Sequence, residues 1–191
     1  MSTPARGDNM EELLERAELI HPAQAVRGAL DAMAEQITET LSDRDPILLA
    51  VMTGGMVPAV RLSSRLNFPH RLDYVHATRY ESGVRGGRLE WRARPHLELG
   101  GSSVLIVDDI LDEGITIRAI VDYCRHSGAR DVRTAVLVEK QHSRNRTGVK
   151  PDFSGLQVPD RYVFGCGMDY RECFRHLPAI YALAAEEEDQ G

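Results

Sequence analysis

The chain contains 191 residues, of which 42% are hydrophobic, and it carries a formal net charge of −6. This length suits one domain with a full core, and the acidic balance excludes a general nucleic-acid or membrane-surface binder, so neither partner is expected. Three cysteines without a C-x-x-C pair, and the lack of any apolar run of signal-peptide or membrane-spanning length, predict a reduced, soluble, cytoplasmic protein.

Helices are predicted for the first part of the chain. Residues 1–9 form a tail, and residues 10–19 have the pattern of a short helix. A longer helix begins at Pro22, because apolar residues recur at spacings of three and four along one face: Val26, Leu30, Met33, Ile37 and Leu41. Packing against the core is sufficient to explain this apolar face.

Two strands follow, and each leads into a segment of unusual composition. Residues 47–52 are a continuous apolar run, typical of a buried parallel strand, and lead into Thr53-Gly54-Gly55 and a helical segment. Residues 71–78 form the second strand. The next ten residues, 79–88, contain three glycines, one serine and three arginines. They predict a flexible excursion or a hairpin, with residues 89–93 as its returning strand.

The stretch from residue 102 to residue 128 carries the strongest chemical signal. Apolar residues 104–107 run into Asp108 and Asp109, a turn follows at residues 112–116, and an amphipathic helix extends to Gly128. The turn presents unpaired backbone N–H groups and a helix dipole to an anion, whereas the neighbouring carboxylates repel bare phosphate. A phosphorylated sugar with a diol and a divalent cation such as Mg²⁺ satisfies both features.

The remaining segments complete an alternation of strands and helices. Residues 132–138 form a strand that ends at Glu139 and Lys140, and short β segments follow. The pattern predicts a doubly wound, mainly parallel α/β sheet. Ligands bind such sheets at the carboxyl ends of the strands, where Thr53, residues 108–116 and Lys140 all lie. We expect a single domain over the whole chain, with a core over 45–150, a small hood over 151–183, and tails over 1–9 and 184–191.

Two groups of motifs resemble a known enzyme family. The segment 104–116, VLIVDDILDEGIT, closely resembles the phosphoribosyl pyrophosphate motif of type I phosphoribosyltransferases, which by itself leaves the nucleobase open. The C-terminal motifs look like the base-binding hood of hypoxanthine-guanine phosphoribosyltransferases, and they are Lys150-Pro-Asp-Phe153, residues 158–165, Met168-Asp169-Tyr170 and Phe174-Arg175. The resemblance covers residues 45–183.

This resemblance implies a purine salvage enzyme. Its substrates would be a 6-oxopurine and phosphoribosyl pyrophosphate, its products IMP or GMP and pyrophosphate, and its cofactor Mg²⁺. It also implies a flexible loop that closes over the reaction, here at Arg79 and Tyr80, and a homodimer or homotetramer. The peptide bond between Met52 and Thr53 corresponds to an unusual cis peptide beside the pyrophosphate.

The resemblance assigns roles to individual residues on the sugar side of the site. The 5-phosphate lies on the loop formed by Asp112, Glu113, Gly114, Ile115 and Thr116. Asp108 and Asp109 handle the ribose diol and its Mg²⁺, and Asp169 is a second metal-side carboxylate. Pyrophosphate is contacted by Thr53, Gly54 and Arg175. Arg79 and Tyr80 belong to the loop that closes over the reaction.

The base side of the site is assigned in the same way. Asp112 matches the general base or proton relay at purine N7, and Lys140 matches the lysine that donates to the 6-oxo oxygen. Tyr162 stacks on the purine, and Val163 and Asp169 border the base edge. Three positions depart from the pattern: Thr53 replaces a common Lys or Arg, Glu113 replaces a common Thr, and Thr78-Arg79-Tyr80 replaces a common Ser-Tyr.

Each assignment has a structural alternative. Carboxylates after a strand serve as turn residues or helix caps, which applies to Asp108, Asp109, Asp112 and Asp169. Lys140 alone is typical of a surface lysine, Tyr162 of a core residue, and Arg175 of an ion pair with a nearby carboxylate. A functional alternative is a nucleotide-sensing regulator of the same fold that binds RNA or a protein through the basic stretches 79–94 and 140–150. The overall acidity and the intact hood motifs favour the enzyme.

Overall fold

The computed structural model describes residues 10–79, 89–142 and 147–183. Four helices lie in this part of the chain: α1 Met10–Arg16, α2 Ala23–Leu41, α3 Met56–Ser63 and α4 Ile115–His126. The strands are β1 Glu18–His21, β2 Ile47–Val51, β3 Arg71–Arg79, β4 Leu89–Ala93, β5 Ser103–Leu111, β6 Asp131–Lys140, β7 Phe153–Val158, β8 Val163–Phe164 and β9 Ile180–Ala182. Six of the strands form one sheet in the order β4-β3-β2-β5-β6-β7, in which only β4 is antiparallel to its neighbour.

The central strands are continuous apolar runs because helices cover both faces of the sheet. Side chains alternate between the faces, so Leu48 and Ala50 of β2 pack in the cluster that contains α2 and α3. Ile47 and Leu49 face the opposite cluster, which contains the apolar face of α4. The predicted doubly wound, mainly parallel α/β sheet is therefore confirmed.

The parallel register places three chain segments at one edge of the sheet. Ala50 of β2 pairs with Val107 of β5, and Leu111 of β5 pairs with Glu139 of β6. The residues that follow β2, the end of β5 and the end of β6 therefore lie side by side. This is the edge at which the sequence predicted a ligand site.

A second, three-stranded sheet has the order β1-β9-β8, and Val163 of β8 lines a cavity together with Asp109 and Lys140 of that edge. Its core is mostly aromatic and aliphatic, and it contains Leu13, Phe164, Tyr170, Phe174, Leu177 and Leu183. The smaller sheet thus joins the N-terminal region to the C-terminal region through the pairing of β1 with β9.

Two sequence predictions differ from this structure. The helix predicted for residues 10–19 ends at Arg16, and Glu18–His21 is a strand that pairs with β9 through Glu18 and Ala182. The main sheet also continues beyond the expected core limit at residue 150, since β7 pairs in parallel with β6. In both cases pairing with a strand distant in the sequence determines the conformation. The local sequence pattern is too short to predict that pairing.

Other predictions concern the ends and loops of the chain. The helix from Pro22 is confirmed, and Leu89–Ala93 returns antiparallel to β3 as predicted. The predicted tails 1–9 and 184–191, and most of the predicted loop 79–88, lie outside the described residues. None of the helices in the described ranges is long and apolar enough to cross a membrane.

Candidate active site

The turn between β5 and α4 forms the floor of the site. Gly114 precedes the first turn of α4 with φ of 77°, a left-handed conformation that favours glycine. A Cβ atom there would lie 2.4 Å from the Thr147 hydroxyl oxygen, so glycine also allows the next loop to pack closely. The first turn of a helix leaves its N–H groups without an intrahelical partner, as an anion site requires.

A cavity of about 230 Å³ lies above this turn. Most of the residues predicted for the sugar side line it: Gly54, Asp108, Asp109, Asp112, Glu113, Gly114, Thr116 and Arg175. Ile115 is the first residue of α4, and Thr53 follows Met52 through a cis peptide bond, as the resemblance implied. Arg79 is the last residue of β3, whereas Tyr80 lies outside the described residues.

The two carboxylates at the end of β5 are buried, with Asp108 and Asp109 each 9% exposed. Burial, followed by the negative charge of Asp109, raises the pKa of Asp108 well above its ordinary value. Burial also raises the pKa of Asp109, although Arg175 opposes the shift. These side chains are not solvated turn residues, and a bound cation would relieve their repulsion.

Two glycines allow neighbouring loops to approach Asp109. A Cβ atom on Gly54 would lie 1.9 Å from the carboxylate of Asp109, and one on Gly167 would lie 2.6 Å from the carbonyl oxygen of Gly54. Gly167 also has φ of 113°. Sequence reasoning did not include Gly167 in the site, although an isolated glycine within the hood motifs was a signal of close backbone approach.

A second cavity, of about 190 Å³, adjoins the first. It contains all four residues predicted to bind the base, and its lining is Asp109, Ile110, Asp112, Lys140, Tyr162, Val163, Met168 and Asp169. Asp109, Ile110 and Asp112 line both cavities. The predicted general base therefore lies between the sugar side and the base side.

Tyr162 is 43% exposed and does not belong to the core. Its hydroxyl donates to the backbone carbonyl of Asp169 over 3.1 Å, and its ring meets Tyr170 edge-on at 6.1 Å between centroids. Partial burial raises the pKa of Tyr162, so the hydroxyl keeps its proton at neutral pH. The phenol hydroxyl is thus held by a hydrogen bond, and Tyr162 lines the second cavity.

Arg175 and Asp169 form an ion pair. This is the structural role that the sequence offered for Arg175 as an alternative to pyrophosphate binding. The Arg175 Nη2 atom lies 2.6 Å from Asp169 Oδ1, and Arg175 Nη1 donates to the carbonyl of Gly167 over 2.7 Å. Arg175 still lines the first cavity. In the described ranges no three carboxylate, imidazole or thiolate groups converge as a metal cage, so Asp169 does not join Asp108 and Asp109 in one cluster.

Within the described ranges, Lys140 and His142 both contact the Asp112 carboxylate. Lys140 Nζ lies 3.4 Å from Oδ2, and His142 Nε2 lies 2.5 Å from Oδ1. Sequence reasoning missed His142. The available signal was its spacing, because residues two apart on an extended chain project to the same side, and Lys140 was already placed in the site.

The fold and this edge define an α/β protein with a glycine-containing turn before a helix, a buried acidic pair and two adjoining cavities. The chain belongs to the phosphoribosyl transferase domain family, whose model matches residues 17–171. It is 27% identical over 161 residues to the hypoxanthine-guanine phosphoribosyltransferase of Bacillus subtilis, covering 84% of this chain and 89% of the relative. The corresponding Lactococcus lactis enzyme is 26% identical over 179 residues, with 93% and 96% coverage.

Solved structures share the fold. A hypoxanthine phosphoribosyltransferase from Staphylococcus aureus superposes with a TM-score of 0.86 at 22% identity, covering 94% of this chain and 98% of that one. A hypoxanthine phosphoribosyltransferase from Trypanosoma cruzi gives a TM-score of 0.83 at 24% identity, with 90% and 98% coverage. The family resemblance of the sequence motifs is confirmed.

Proposed function

We propose that the chain transfers the 5-phosphoribosyl group from phosphoribosyl pyrophosphate to N9 of hypoxanthine or guanine, releasing pyrophosphate and giving IMP or GMP. The observation that carries this proposal is the position of Asp112 on the wall common to both cavities, with Lys140 beside it in the second. A reaction that joins a base to a sugar requires one proton acceptor at the junction of the two substrates. The names of the bacterial relatives support the same reaction.

The first cavity would hold phosphoribosyl pyrophosphate. In this proposal the 5-phosphate accepts hydrogen bonds from the turn formed by Asp112, Glu113, Gly114, Ile115 and Thr116. Asp108 and Asp109 accept from the ribose hydroxyls. Pyrophosphate lies beside Thr53, Gly54 and Arg175, where the guanidinium offsets charge on the leaving group.

The buried acidic pair fits Mg²⁺, because burial raises the pKa of both carboxyl groups and a bound cation would favour their charged form. Mg²⁺ commonly takes one or two protein carboxylates and completes its shell with water and phosphate, so a protein cage of three ligands is not needed. Asp108 and Asp109 would hold one ion, and Asp169 would face a second position. The bound metal would offset the charge of the departing pyrophosphate.

The second cavity would hold the purine. Tyr162 stacks on the ring, and the backbone of Val163 borders the base edge. Lys140 donates a hydrogen bond to the 6-oxo oxygen. Adenine carries an amino group at this position, and that group does not accept a hydrogen bond from lysine. Asp112 takes the proton from N7 as N9 attacks the sugar, and a positioned base of this kind contributes about 10²- to 10⁴-fold in rate.

Competition kinetics with hypoxanthine, guanine, xanthine and uracil test this proposal. We expect turnover of hypoxanthine or guanine with phosphoribosyl pyrophosphate and Mg²⁺, and none of uracil. The alternative is a regulator of the same fold, which predicts no turnover of any base and retention of RNA at about 150 mM salt, where weak electrostatic binding is lost. That pair of results would overturn the enzyme proposal.

The role of Asp112 has a separate test. Asp112→Asn retains the shape of the side chain but does not accept a proton, so we expect kcat to fall by about 10²- to 10⁴-fold. Product affinity, measured by IMP titration, should change far less. A loss of IMP affinity equal to the loss of kcat would assign Asp112 to binding and not to proton transfer.

We also propose a homodimer or homotetramer, as the family resemblance implies. Exposed apolar side chains on α3 and β3 support this proposal, because water does not solvate them well: Met56, Val60, Leu72 and Tyr74. Light scattering coupled to size-exclusion chromatography gives the mass directly. A mass of one chain, about 21.3 kDa, at micromolar concentration would contradict it.

A further inference from the structure

His142 has a buried imidazole, which contacts the carboxylate of Asp112. Its side chain is only 4% exposed, whereas that of Asp112 is 40% exposed. The 2.5 Å contact between His142 Nε2 and Asp112 Oδ1 therefore holds a partly exposed carboxylate to a buried ring. A carboxylate oxygen only accepts, so Nε2 carries the hydrogen of this bond.

The chain around His142 is anchored by β7. The N–H group of Gln141 donates to the carbonyl of Val158 over 2.8 Å, which extends the parallel ladder one residue beyond β6. The Gln141 side chain also donates to the side chain of Gln157. His142 therefore projects from a fixed segment, and Asp112 lies in the turn that packs against it.

The two oxygens of Asp112 face different partners. Oδ1 meets the buried imidazole at 2.5 Å, and Oδ2 lies 3.4 Å from Lys140 Nζ. The longer contact is the weaker one, and Lys140 lines the base cavity while His142 does not. A purine that engages Lys140 would therefore draw the weaker contact away from Oδ2 and leave the bond to Oδ1 in place.

We propose that His142 is a positioning residue, which holds Asp112 so that Oδ2 points at the purine nitrogen during transfer. This inference rests on the proposed function. In the step itself the N7–H bond breaks and an O–H bond forms on Asp112. At the same time N9 bonds to C1 of the sugar, and the C1–O bond to pyrophosphate breaks with its electron pair. His142 keeps its proton throughout and does not touch the substrate.

Two substitutions at position 142 separate positioning from packing. His142→Leu fills space but removes the donor, whereas the amide nitrogen of His142→Gln reaches the place of Nε2. We expect the leucine variant to lose about 10- to 100-fold in kcat, since a displacement of about 1 Å costs about 10²-fold. The KM for phosphoribosyl pyrophosphate should stay within about threefold, and the glutamine variant should recover most of kcat.

A double-mutant cycle tests whether His142 acts through Asp112. In the Asp112→Asn background the proton acceptor is gone, so His142→Leu should change kcat by less than about threefold. His96, an exposed residue between β4 and β5, provides the matched control, and His96→Leu should leave kcat unchanged. The melting temperature of each variant reports on folding.

The outcomes are distinct. An active wild type with an equally active leucine variant overturns the positioning role and leaves the proposed function intact. Equal losses in the leucine and glutamine variants, additive losses in the double mutant, or a KM for phosphoribosyl pyrophosphate that rises in step with the loss of kcat also overturn it. A wild type that turns over no base overturns the proposed function, and the role of His142 with it.

Discussion

Asp108 is the residue at which stability and chemistry oppose each other. Its carboxyl group is buried beside Asp109, and its pKa is raised mainly by desolvation and then by the neighbouring charge. The folded chain therefore binds a proton that the unfolded chain loses at the ordinary pKa of 3.8. The contribution of Asp108 to stability is fully present below that pH, and it is lost as the pH rises through the raised folded pKa and the buried group becomes charged.

Asp108→Asn should consequently stabilise the protein at pH 8 without Mg²⁺. We expect a rise in Tm of about 2–4 °C, the shift that about 1 kcal/mol produces in a chain of this size. The difference should vanish as the pH falls below 3.8, where Asp108 is protonated in both states. Asp43→Asn is the control, because the Asp43 side chain is 85% exposed, and a lower Tm for Asp108→Asn at pH 8 would refute the prediction.

Lys140 controls base choice if it donates to the 6-oxo oxygen. Lys140→Ala should lower the ratio of kcat/KM for hypoxanthine to that for adenine by roughly 10- to 100-fold, the equivalent of about 1.5–3 kcal/mol for a hydrogen bond to a charged group. Lys150 is exposed and lies outside the base cavity, so Lys150→Ala should leave the ratio unchanged. An unaltered ratio in Lys140→Ala would remove Lys140 from base recognition.

The loops at the sheet edge depend on close backbone contacts. Gly167→Ala would place a methyl group 2.6 Å from the Gly54 carbonyl and 2.9 Å from Asp109 Cβ, at a φ that disfavours alanine. We expect a loss of about 1–3 kcal/mol in the free energy of unfolding. Weaker binding of phosphoribosyl pyrophosphate should accompany it, because Asp109 is displaced. Urea unfolding and ligand titration measure the two effects.

Gly28 provides the matched glycine control. It lies on the exposed side of α2, and a Cβ atom there meets nothing within 4 Å. Gly28→Ala should raise the free energy of unfolding by about 0.5–1 kcal/mol, because alanine favours the helix. If both substitutions changed the free energy of unfolding in the same direction, close contact at Gly167 would not explain the effect of Gly167→Ala.

At the scale of the whole molecule, the N-terminal helix supports the base side of the site. Leu13 of α1 is fully buried in the cluster that contains Phe164 and Tyr170, the neighbours of Val163 and Asp169. Leu13→Ala should cost about 2–5 kcal/mol of stability. It should also raise the KM for hypoxanthine more than that for phosphoribosyl pyrophosphate, since Phe164 and Tyr170 of this cluster adjoin Val163 and Asp169, which line the second cavity.

Leu99→Ala separates this effect from general destabilisation. Leu99 is 4% exposed, precedes β5 and packs in the cluster on the α4 side of the sheet, away from the smaller sheet. Its loss should lower stability by a similar amount without a selective rise in the KM for hypoxanthine. Steady-state kinetics below the Tm of both variants make the comparison, and a selective rise in the KM for hypoxanthine in Leu99→Ala would contradict the argument.

The sequence by itself determined the central sheet and the chemical groups at its edge. The apolar runs of β2, β5 and β6 are long enough to be recognised locally, and a parallel sheet brings their carboxyl ends together. The positions of Asp108, Asp109, Asp112 and Lys140 at that edge followed from this rule. These features depend on residues that are close in the sequence, so a local pattern is sufficient to predict them.

Only the tertiary structure decided the contacts between distant segments. It paired β1 with β9, joined Arg175 to Asp169, and placed His142 against Asp112. The sequence gives only a weak or ambiguous signal for each contact. Strand β1 has four residues, and a single histidine or arginine has many possible partners. Their geometry depends on how the two sheets pack. The packing of the whole chain, and not a local pattern, therefore selects the partner of each of these residues.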